Sequence, residues 1–323
     1  ARLMDPEEWG DALELDIETE FWDLIGNSAH DEYPAWHRKA KDYVEANPEA
    51  HPRIALYISA GAVFTLTQLF QSEDVIAALP DYAEFIEDAT SGARAPVQQL
   101  TDREPALVFY HNNQAMLAFL LQSNADLGIC HLEKLRNLED NPEFVGTEGR
   151  AAAPFTYAMV RDEAYVDYAI AMMEGCENWI CMWTTELAPF KPIGQMLTLA
   201  EFHAIKPEMV TSEDAREQHY AEMHRLLDRA TELGEARDYP FMDRIAAIRE
   251  ELPTRTYSDG IGLGRSPMPI YSDELNCGGC HMGGRPGQTQ VELGMPYPGA
   301  DVLTPKPGPP PFKSDAAVDC DLF

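Results

Sequence analysis

Hydrophobic residues recur at helical spacing along most of the chain, and no strong run of alternating, strand-like positions interrupts them. In each segment apolar residues return every three or four positions, which is the pattern of a helix that buries one face. The clearest segments are Leu56–Phe70, Ala106–Ser123, Pro154–Met173 and Asp214–Leu233. We therefore predict a mainly α fold.

The last of these segments carries signals for both of its ends. The residues TSED at 211–214 resemble a capping box, in which side chains accept hydrogen bonds from the first free amides of a helix. Gly234 is the residue type that commonly follows the last helical turn. These signals predict a helix that begins near Asp214 and ends at Gly234.

The longest uncharged segment covers 19 residues, from Ile54 to Ser72. Its length approaches what a membrane-spanning helix needs, but Ser, Thr and Gln side chains interrupt it and two acidic residues follow directly. A buried core helix is the better interpretation. The chain begins at Ala1 without a recognisable leader, as expected of a mature form whose signal peptide has been removed.

The composition of the sequence changes at Tyr257, where Gly and Pro become frequent and helical periodicity ends. We predict a helical body over residues 1–256, followed by an attachment loop and extended tail over residues 257–323. This second part contains the residues CGGCH at 277–281.

The sequence C-x-x-C-H is the attachment motif of c-type haem. The thiols of Cys277 and Cys280 would add to the haem vinyl groups, and His281 would then ligate the iron. A zinc site requires further Cys or His ligands, and none lies within thirty residues of Cys277 outside the motif. A thioredoxin-like motif requires a strand-to-helix context that this stretch lacks. The motif therefore predicts covalently bound haem.

Three spaced patterns extend this prediction. Met116 precedes the Cys-His pair ending at His131 by fifteen residues, and Arg150 precedes Met159, in the sequence Met-Val-Arg-Asp, by nine. His281 is followed by Met-Gly-Gly-Arg-Pro. In this order the patterns resemble the cytochrome subunit of purple-bacterial photosynthetic reaction centres, a multihaem family that usually carries four haems. The similarity covers about residues 106–162 and the final motif.

The resemblance implies a multihaem-cytochrome-like helical body and a set of haem ligands. Met159 and His281 would be the axial ligands of the haem attached to Cys277 and Cys280. Arg150 matches an arginine that lies beside a haem in the family, where a fixed positive charge disfavours the ferric state and raises the reduction potential.

The chain departs from the family at the other haem sites. No CxxCH motif precedes residue 127, and the residues LGICH at 127–131 keep Cys130 and His131 but lack the first cysteine. One alternative is a second haem held by a single thioether at Cys130, with His131 and Met116 ligating the iron. The other is an empty site in which Cys130 is a structural thiol or half of a disulfide. In that case Cys130, Cys176, Cys181 and Cys320 can form two bridges.

A second departure is an insertion over about residues 163–256, so that Met159 and Cys277 lie much further apart than in the family. This inserted helical region is either an added helical layer or a new protein interface.

Charge restricts the choice of partners. A formal net charge of −31 argues against a nucleic-acid binder and suits either a cationic protein partner or solubility in high salt. The resemblance implies electron transfer without enzymatic chemistry, from a soluble periplasmic cytochrome or iron–sulfur protein to the special pair of a reaction centre. Membrane association would then occur through partner subunits, at the periplasmic or extracellular face. The alternative is a non-photosynthetic electron-transfer cytochrome, either a respiratory-complex subunit or a protomer of an extracellular haem filament.

Overall fold

The structure of the 323-residue chain is a computed structural model. It describes residues 12–27, 32–71, 79–101, 104, 106–120, 122, 124–139, 156–160, 162–174, 191–239, 242–254 and 318–320. Within these ranges the regular secondary structure is helical and contains no strand, which confirms the mainly α prediction.

The chain divides into two compact units. The first is formed by Ala1–Arg150 together with Val318–Phe323, and the second by Ala151–Ala317. The division predicted from the sequence placed one helical body over residues 1–256, whereas the boundary found here lies between Arg150 and Ala151. Most of the predicted tail, residues 257–317 and 321–323, lies outside the described residues.

The described helices of the first unit are α1 (Ala12–Asn27), α2 (Tyr33–Ala46), α3 (Arg53–Gln71), α4 (Ala83–Glu87), α5 (Arg94–Val97), α6 (Ala106–Leu120) and α7 (Ala125–Glu139). Those of the second unit are α8 (Glu163–Glu174), α9 (Lys191–Ile205), α10 (Glu213–Ala236) and α11 (Met242–Glu251). Short 3₁₀ turns at Leu79–Tyr82, Lys206–Glu208 and Leu252–Thr254 and a π-helical turn at Asp88–Gly92 connect them.

Helix α3 forms the centre of the first unit and packs against α1, α2, α4, α5 and α6. Its side chains Ala62, Val63 and Leu66 are buried in one cluster with Ala89 and Leu117. The prediction that this uncharged segment is a buried core helix is therefore confirmed. No helix in the described part of the chain is long and apolar enough to cross a membrane.

An aromatic side chain joins the first three helices. At Gly61 an added β-carbon would lie 2.5 Å from Cζ3 of Trp36, so only glycine lets the indole rest on the backbone of α3. The indole Nε1 donates a hydrogen bond to the carbonyl oxygen of Ile17 at 3.0 Å. The ring of Phe21 lies 5.0 Å from the rings of both Trp36 and Tyr57, measured between centroids. These contacts fix α1 and α2 on the central helix.

A buried ion pair fixes the start of α6. Nη2 of Arg53 lies 2.6 Å from a carboxylate oxygen of Glu104, and both side chains are less than a tenth exposed. The other carboxylate oxygen accepts a hydrogen bond from the backbone N–H of Ala106 at 3.2 Å. Glu104 therefore caps α6 and connects it to α3 at the same time.

The second unit is organised around α9 and α10, which pack extensively against each other and are joined by residues 206–212. Oγ of Ser212 accepts a hydrogen bond from the N–H of Ala215 at 3.4 Å, so α10 begins at the predicted capping sequence. The predicted end at Gly234 is wrong, because α10 continues to Ala236.

The role of Gly234 is close packing between helices. An added β-carbon at this position would lie 2.6 Å from Sδ of Met242, on α11. The turn to the left-handed conformation occurs instead at Asp238, with φ of 50°, and the N–H of Tyr239 donates to the Gly234 carbonyl at 2.9 Å. A glycine that ends a helix and a glycine that allows close packing both depend on the missing side chain. The contact with Met242 shows that Gly234 has the second role.

Candidate functional site

Half of the predicted haem-site residues fall inside the described part of the chain. Cys277, Cys280, His281 and Arg150 lie outside the described residues. The other four are distributed over both units: Met116 lies on α6, Cys130 and His131 lie on α7, and Met159 lies in the second unit.

Cys130 forms a disulfide with Cys320, with an S–S distance of 2.08 Å and a Cα–Cα distance of 5.3 Å. A sulfur atom bonded to another sulfur has no thiol left to add to a haem vinyl group. Of the two alternatives that the sequence leaves open, the structure therefore adopts the disulfide, and the assignment of Cys130 as a thioether attachment is wrong. Cys176 and Cys181, the other cysteines outside the motif, lie outside the described residues.

The other residues that the sequence analysis assigned to a possible second haem take part in helix packing. The side chain of Met116 is partly buried against the core cluster around α3. The ring of Phe119 lies so close to α7 that a β-carbon added at Gly128 would be 2.6 Å from its Cζ atom. Without covalent attachment at Cys130, the assignment of Met116 and His131 as iron ligands loses its basis.

His131 instead faces a second histidine across the contact between α6 and α7. Its Nδ1 atom lies 3.0 Å from Nδ1 of His111, with the ring centroids 5.3 Å apart. The ring of Tyr110 meets both imidazoles, at 5.2 Å from His111 and 6.1 Å from His131. Burial, with contributions from Lys134 and Arg94, lowers the pKa of His131 to about 4. Burial also holds the pKa of His111 well below its ordinary value, so both rings are neutral at pH 7.

The second unit contains a pair of the same geometry. His203, in the last turn of α9, and His219, on α10, approach with an Nδ1–Nδ1 distance of 2.9 Å and a centroid distance of 5.2 Å. The ring planes meet at 40°, against 38° in the first pair. Burial, followed by the effect of His219, lowers the pKa of His203 to about 4. One of the two neutral rings must donate the hydrogen bond and the other must accept it.

The charged surroundings of the second pair include carboxylates. The Nε2 atom of His203 lies 3.8 Å from Oε1 of Glu174, the last residue of α8. The nearly fully buried Nζ of Lys206 forms ion pairs with Glu163 at 3.0 Å and Asp167 at 2.5 Å. These acidic residues all come from α8, which packs against α9. The pair is therefore enclosed by three helices of the second unit.

Met159 lies in a turn where the predicted segment Pro154–Met173 divides. Residues 156–158 are helical, and the N–H of Met159 donates to the carbonyl of Thr156 at 3.2 Å. Oδ1 of Asp162 then accepts a hydrogen bond from Ala164 at 2.8 Å at the start of α8. Met159 is partly exposed.

Sequence reasoning missed three of the four paired histidines. His111, His203 and His219 stand at unremarkable helical positions, and a lone histidine in an apolar segment gives no signal of its own. Each partner lies 16 or 20 residues away on the next helix, so the pairing depends on how the two helices pack. The signal available in the sequence is weak: two helical segments joined by a short connection, each carrying at least one histidine.

Comparison with models of protein families, with curated proteins and with solved structures finds no match for this chain. The functional interpretation therefore depends on the motif, on the resemblance carried by its spaced residues and on the geometry of the described sites.

Proposed function

We propose that the chain is a c-type cytochrome that transfers electrons and carries one haem, attached through Cys277 and Cys280 with His281 as the proximal ligand. The observation that carries this proposal is the sequence CGGCH, in which two thiols and an imidazole stand at the spacing of haem c attachment. When bound, the haem supplies one-electron chemistry at its iron. The proposal includes no enzymatic step.

The disulfide supports an extracytoplasmic location. A bond such as Cys130–Cys320 persists in oxidising compartments and is rare where thioredoxin and glutathione keep thiols reduced. Covalent haem attachment also normally takes place outside the cytoplasm. We accordingly place the protein in the periplasm or at the extracellular face of a membrane.

The same disulfide supports a single haem. The spacing of Met116 and His131 matches a haem site of the family, but the cysteine that would anchor this haem is bonded to Cys320. Electrons would then pass directly between the one remaining haem and the partner proteins. Such transfer requires this haem to lie close to the docking surface.

Met159 is proposed as the sixth ligand. A thioether ligand gives a higher reduction potential than a second imidazole, and Met159 stands in a partly exposed turn. Arg150 is proposed to raise the potential further by its fixed positive charge. Both assignments rest on the family pattern.

Partners follow from charge and resemblance. A chain with a net charge of −31 favours docking surfaces rich in Lys and Arg. By resemblance, the electron acceptor is the special pair of a photosynthetic reaction centre and the donor is a soluble cytochrome or iron–sulfur protein. Membrane association would occur through the partner subunits.

The ligand assignment is tested by replacing Met159 with leucine, which has a similar size and no sulfur. We expect the far-red charge-transfer band of the ferric, methionine-ligated haem to disappear. The matched control is Met116→Leu, because Met116 packs against the core of the first unit and should leave the band unchanged. A band that survives in the Met159 variant, or disappears only in the Met116 variant, contradicts the assignment.

The partner assignment is tested by flash illumination of membranes that contain the protein. Oxidation of the haem after a flash supports transfer to a photosynthetic special pair. The partner assignment is contradicted if the flash oxidises the special pairs and the haem stays fully reduced. That result would favour the alternative of a respiratory or filament-forming cytochrome.

A further inference from the structure

The residues Cys130 and His131 keep two of the three groups that attach haem c, a thiol and the histidine that directly follows it. Leu127 stands at the position where the first cysteine of such a motif would be. Outside CGGCH, no other cysteine of the chain is followed by a histidine. An unpaired Cys130 would therefore be the one thiol that resembles the motif closely enough to compete with it for haem.

The disulfide with Cys320 removes this competing thiol chemically. A thioether forms when a thiol adds its S–H across a vinyl C=C bond, and no electrons are gained or lost overall. Pairing with Cys320 breaks the two S–H bonds and forms one S–S bond. The two electrons and two protons pass to a disulfide-bearing oxidant of the compartment, which becomes a dithiol. The sulfur of Cys130 then has no S–H left to add.

Helix packing protects Cys130 only while the first unit is folded. Cys130 is 2% exposed, and Nδ1 of His131 is engaged with Nδ1 of His111 at 3.0 Å across the contact of α6 and α7. When α7 separates from α6, in local opening or before the unit has folded, burial and contact are lost together. A covalent bond survives this separation. The disulfide therefore protects Cys130 in the states in which packing gives no protection.

The two cysteines of the disulfide are not equivalent. Cys130 is buried on α7 and precedes a histidine, whereas Cys320 is partly exposed and precedes Asp321. Attachment of haem c combines thioether bonds with ligation of the iron by the adjoining imidazole. Opening the bond from either side frees one thiol, but only the thiol of Cys130 has that imidazole beside it in the sequence.

We propose that Cys320 determines where haem is attached. By bonding to Cys130 it withholds the thiol that precedes His131, so that attachment is confined to Cys277 and Cys280. This inference rests on the haem attachment proposed above. It gives Cys320 a role in the specificity of that modification, beyond its contribution to the stability of the first unit.

The experiment compares Cys320→Ser with a matched control, Cys130→Ser. Both variants lack the disulfide, but only Cys320→Ser leaves a thiol beside His131. The full-length chains are produced together with a haem c attachment system, and mass spectrometry of proteolytic peptides locates the covalent haem. We expect haem on the Cys130 peptide of Cys320→Ser and a ratio of haem to chain above that of the wild type. In Cys130→Ser the haem should be confined to the CGGCH peptide.

The role of the imidazole is tested in the double variant His131→Ala/Cys320→Ser. This variant keeps the free thiol at Cys130 and lacks the histidine that would ligate the iron. We expect the amount of haem on the Cys130 peptide to fall several-fold relative to Cys320→Ser. Equal amounts would mean that any free thiol is modified, which contradicts a role for the paired cysteine and histidine.

The peptides report on attachment whether or not a variant folds stably. The proposal is overturned if Cys320→Ser carries no haem on Cys130, or if Cys130→Ser carries haem on Cys320. A wild type without haem on the CGGCH peptide contradicts the proposed function instead. The two peptides are measured separately, so the two failures are distinguishable.

Discussion

Two pairs of helices in this molecule hold the same arrangement of histidines in different settings. In the first unit, α6 and α7 bring His111 and His131 together beside a disulfide and cationic side chains. In the second unit, α9 and α10 bring His203 and His219 together among both carboxylates and cations. The distance between the imidazoles is the same within 0.1 Å, so the surroundings and not the geometry distinguish the two pairs.

The difference lies in what surrounds each pair. The first pair adjoins Cys130, whose bond to Cys320 attaches the C-terminal segment to α7 across 190 residues of sequence. The whole of the second unit lies within that loop. In the second pair, the buried Nε2 of His203 has no hydrogen-bond partner and faces the exposed carboxylate of Glu174 at 3.8 Å. We interpret the first pair as part of a structural closure of the chain, whereas the second is a packing contact between α9 and α10 that leaves one buried nitrogen unsatisfied.

The largest predicted effect comes from opening the disulfide. Replacing Cys320 with serine should lower the free energy of unfolding of the first unit by about 2–5 kcal/mol, because a long loop in the unfolded chain is released. Chemical denaturation measures this loss. Cys130→Ser should have the same effect, and the double variant should be no worse than either single one, since all three remove one bond. Additive losses would mean that the two thiols do not form this bond.

Acidification should also destabilise the first unit. The pKa values of His111 and His131 in the folded state lie below the ordinary value of 6.5, so the unfolded chain binds more protons below that pH. Their contribution to stability is complete above pH 6.5 and is lost as the pH falls towards about 4. Thermal unfolding between pH 7 and pH 5 should show a falling midpoint. The double variant His111→Leu/His131→Leu should flatten this dependence, and an unchanged slope would show that the rings are not buried as neutral groups.

Removing one histidine should destabilise both units by similar amounts. His111→Leu leaves Nδ1 of His131 without its partner, and His219→Leu leaves Nδ1 of His203, a residue that is 5% exposed, without its partner. Losing the partner of a buried polar atom costs about 1–3 kcal/mol. Urea unfolding of both variants measures the two losses. A loss confined to one unit would contradict the equivalence of the two histidine contacts.

The smallest effects concern two glycines at helix contacts. At Gly128 an added β-carbon meets three ring atoms of Phe119 within 2.9 Å, whereas at Gly234 it meets mainly the flexible thioether of Met242. Overpacking costs about 1–3 kcal/mol, and replacing a helical glycine by alanine regains about 1 kcal/mol. Gly128→Ala should therefore destabilise, and Gly234→Ala should be nearly neutral. Thermal melts compare them directly, and the reverse order would contradict the packing described here.

The helices were largely predictable from local patterns. The uncharged segment from Ile54 and the capping sequence before Glu213 determined α3 and the start of α10, because apolar periodicity and capping act over a few residues. The end of α10 was not predictable, since Gly234 serves a contact with Met242 that only tertiary packing creates.

The candidate sites show the same contrast between local sequence patterns, which are predictable, and long-range contacts, which are not. The CGGCH motif is local and visible in the sequence. The bond between Cys130 and Cys320 joins residues 190 positions apart, and cysteine counting left it as one of two alternatives. The pairing of His203 with His219 depends on helix packing, and nothing in the local sequence indicates it.

The most direct test of the central claim is the number of haems per chain. A pyridine haemochrome assay on the purified protein should give one haem per chain, with the α-band position of a haem attached through two thioethers. The variant with Cys277 and Cys280 both replaced by alanine should then contain no covalent haem. Two haems per chain, or a band typical of a single thioether, would contradict the claim that the disulfide has replaced one haem site and that CGGCH holds the other.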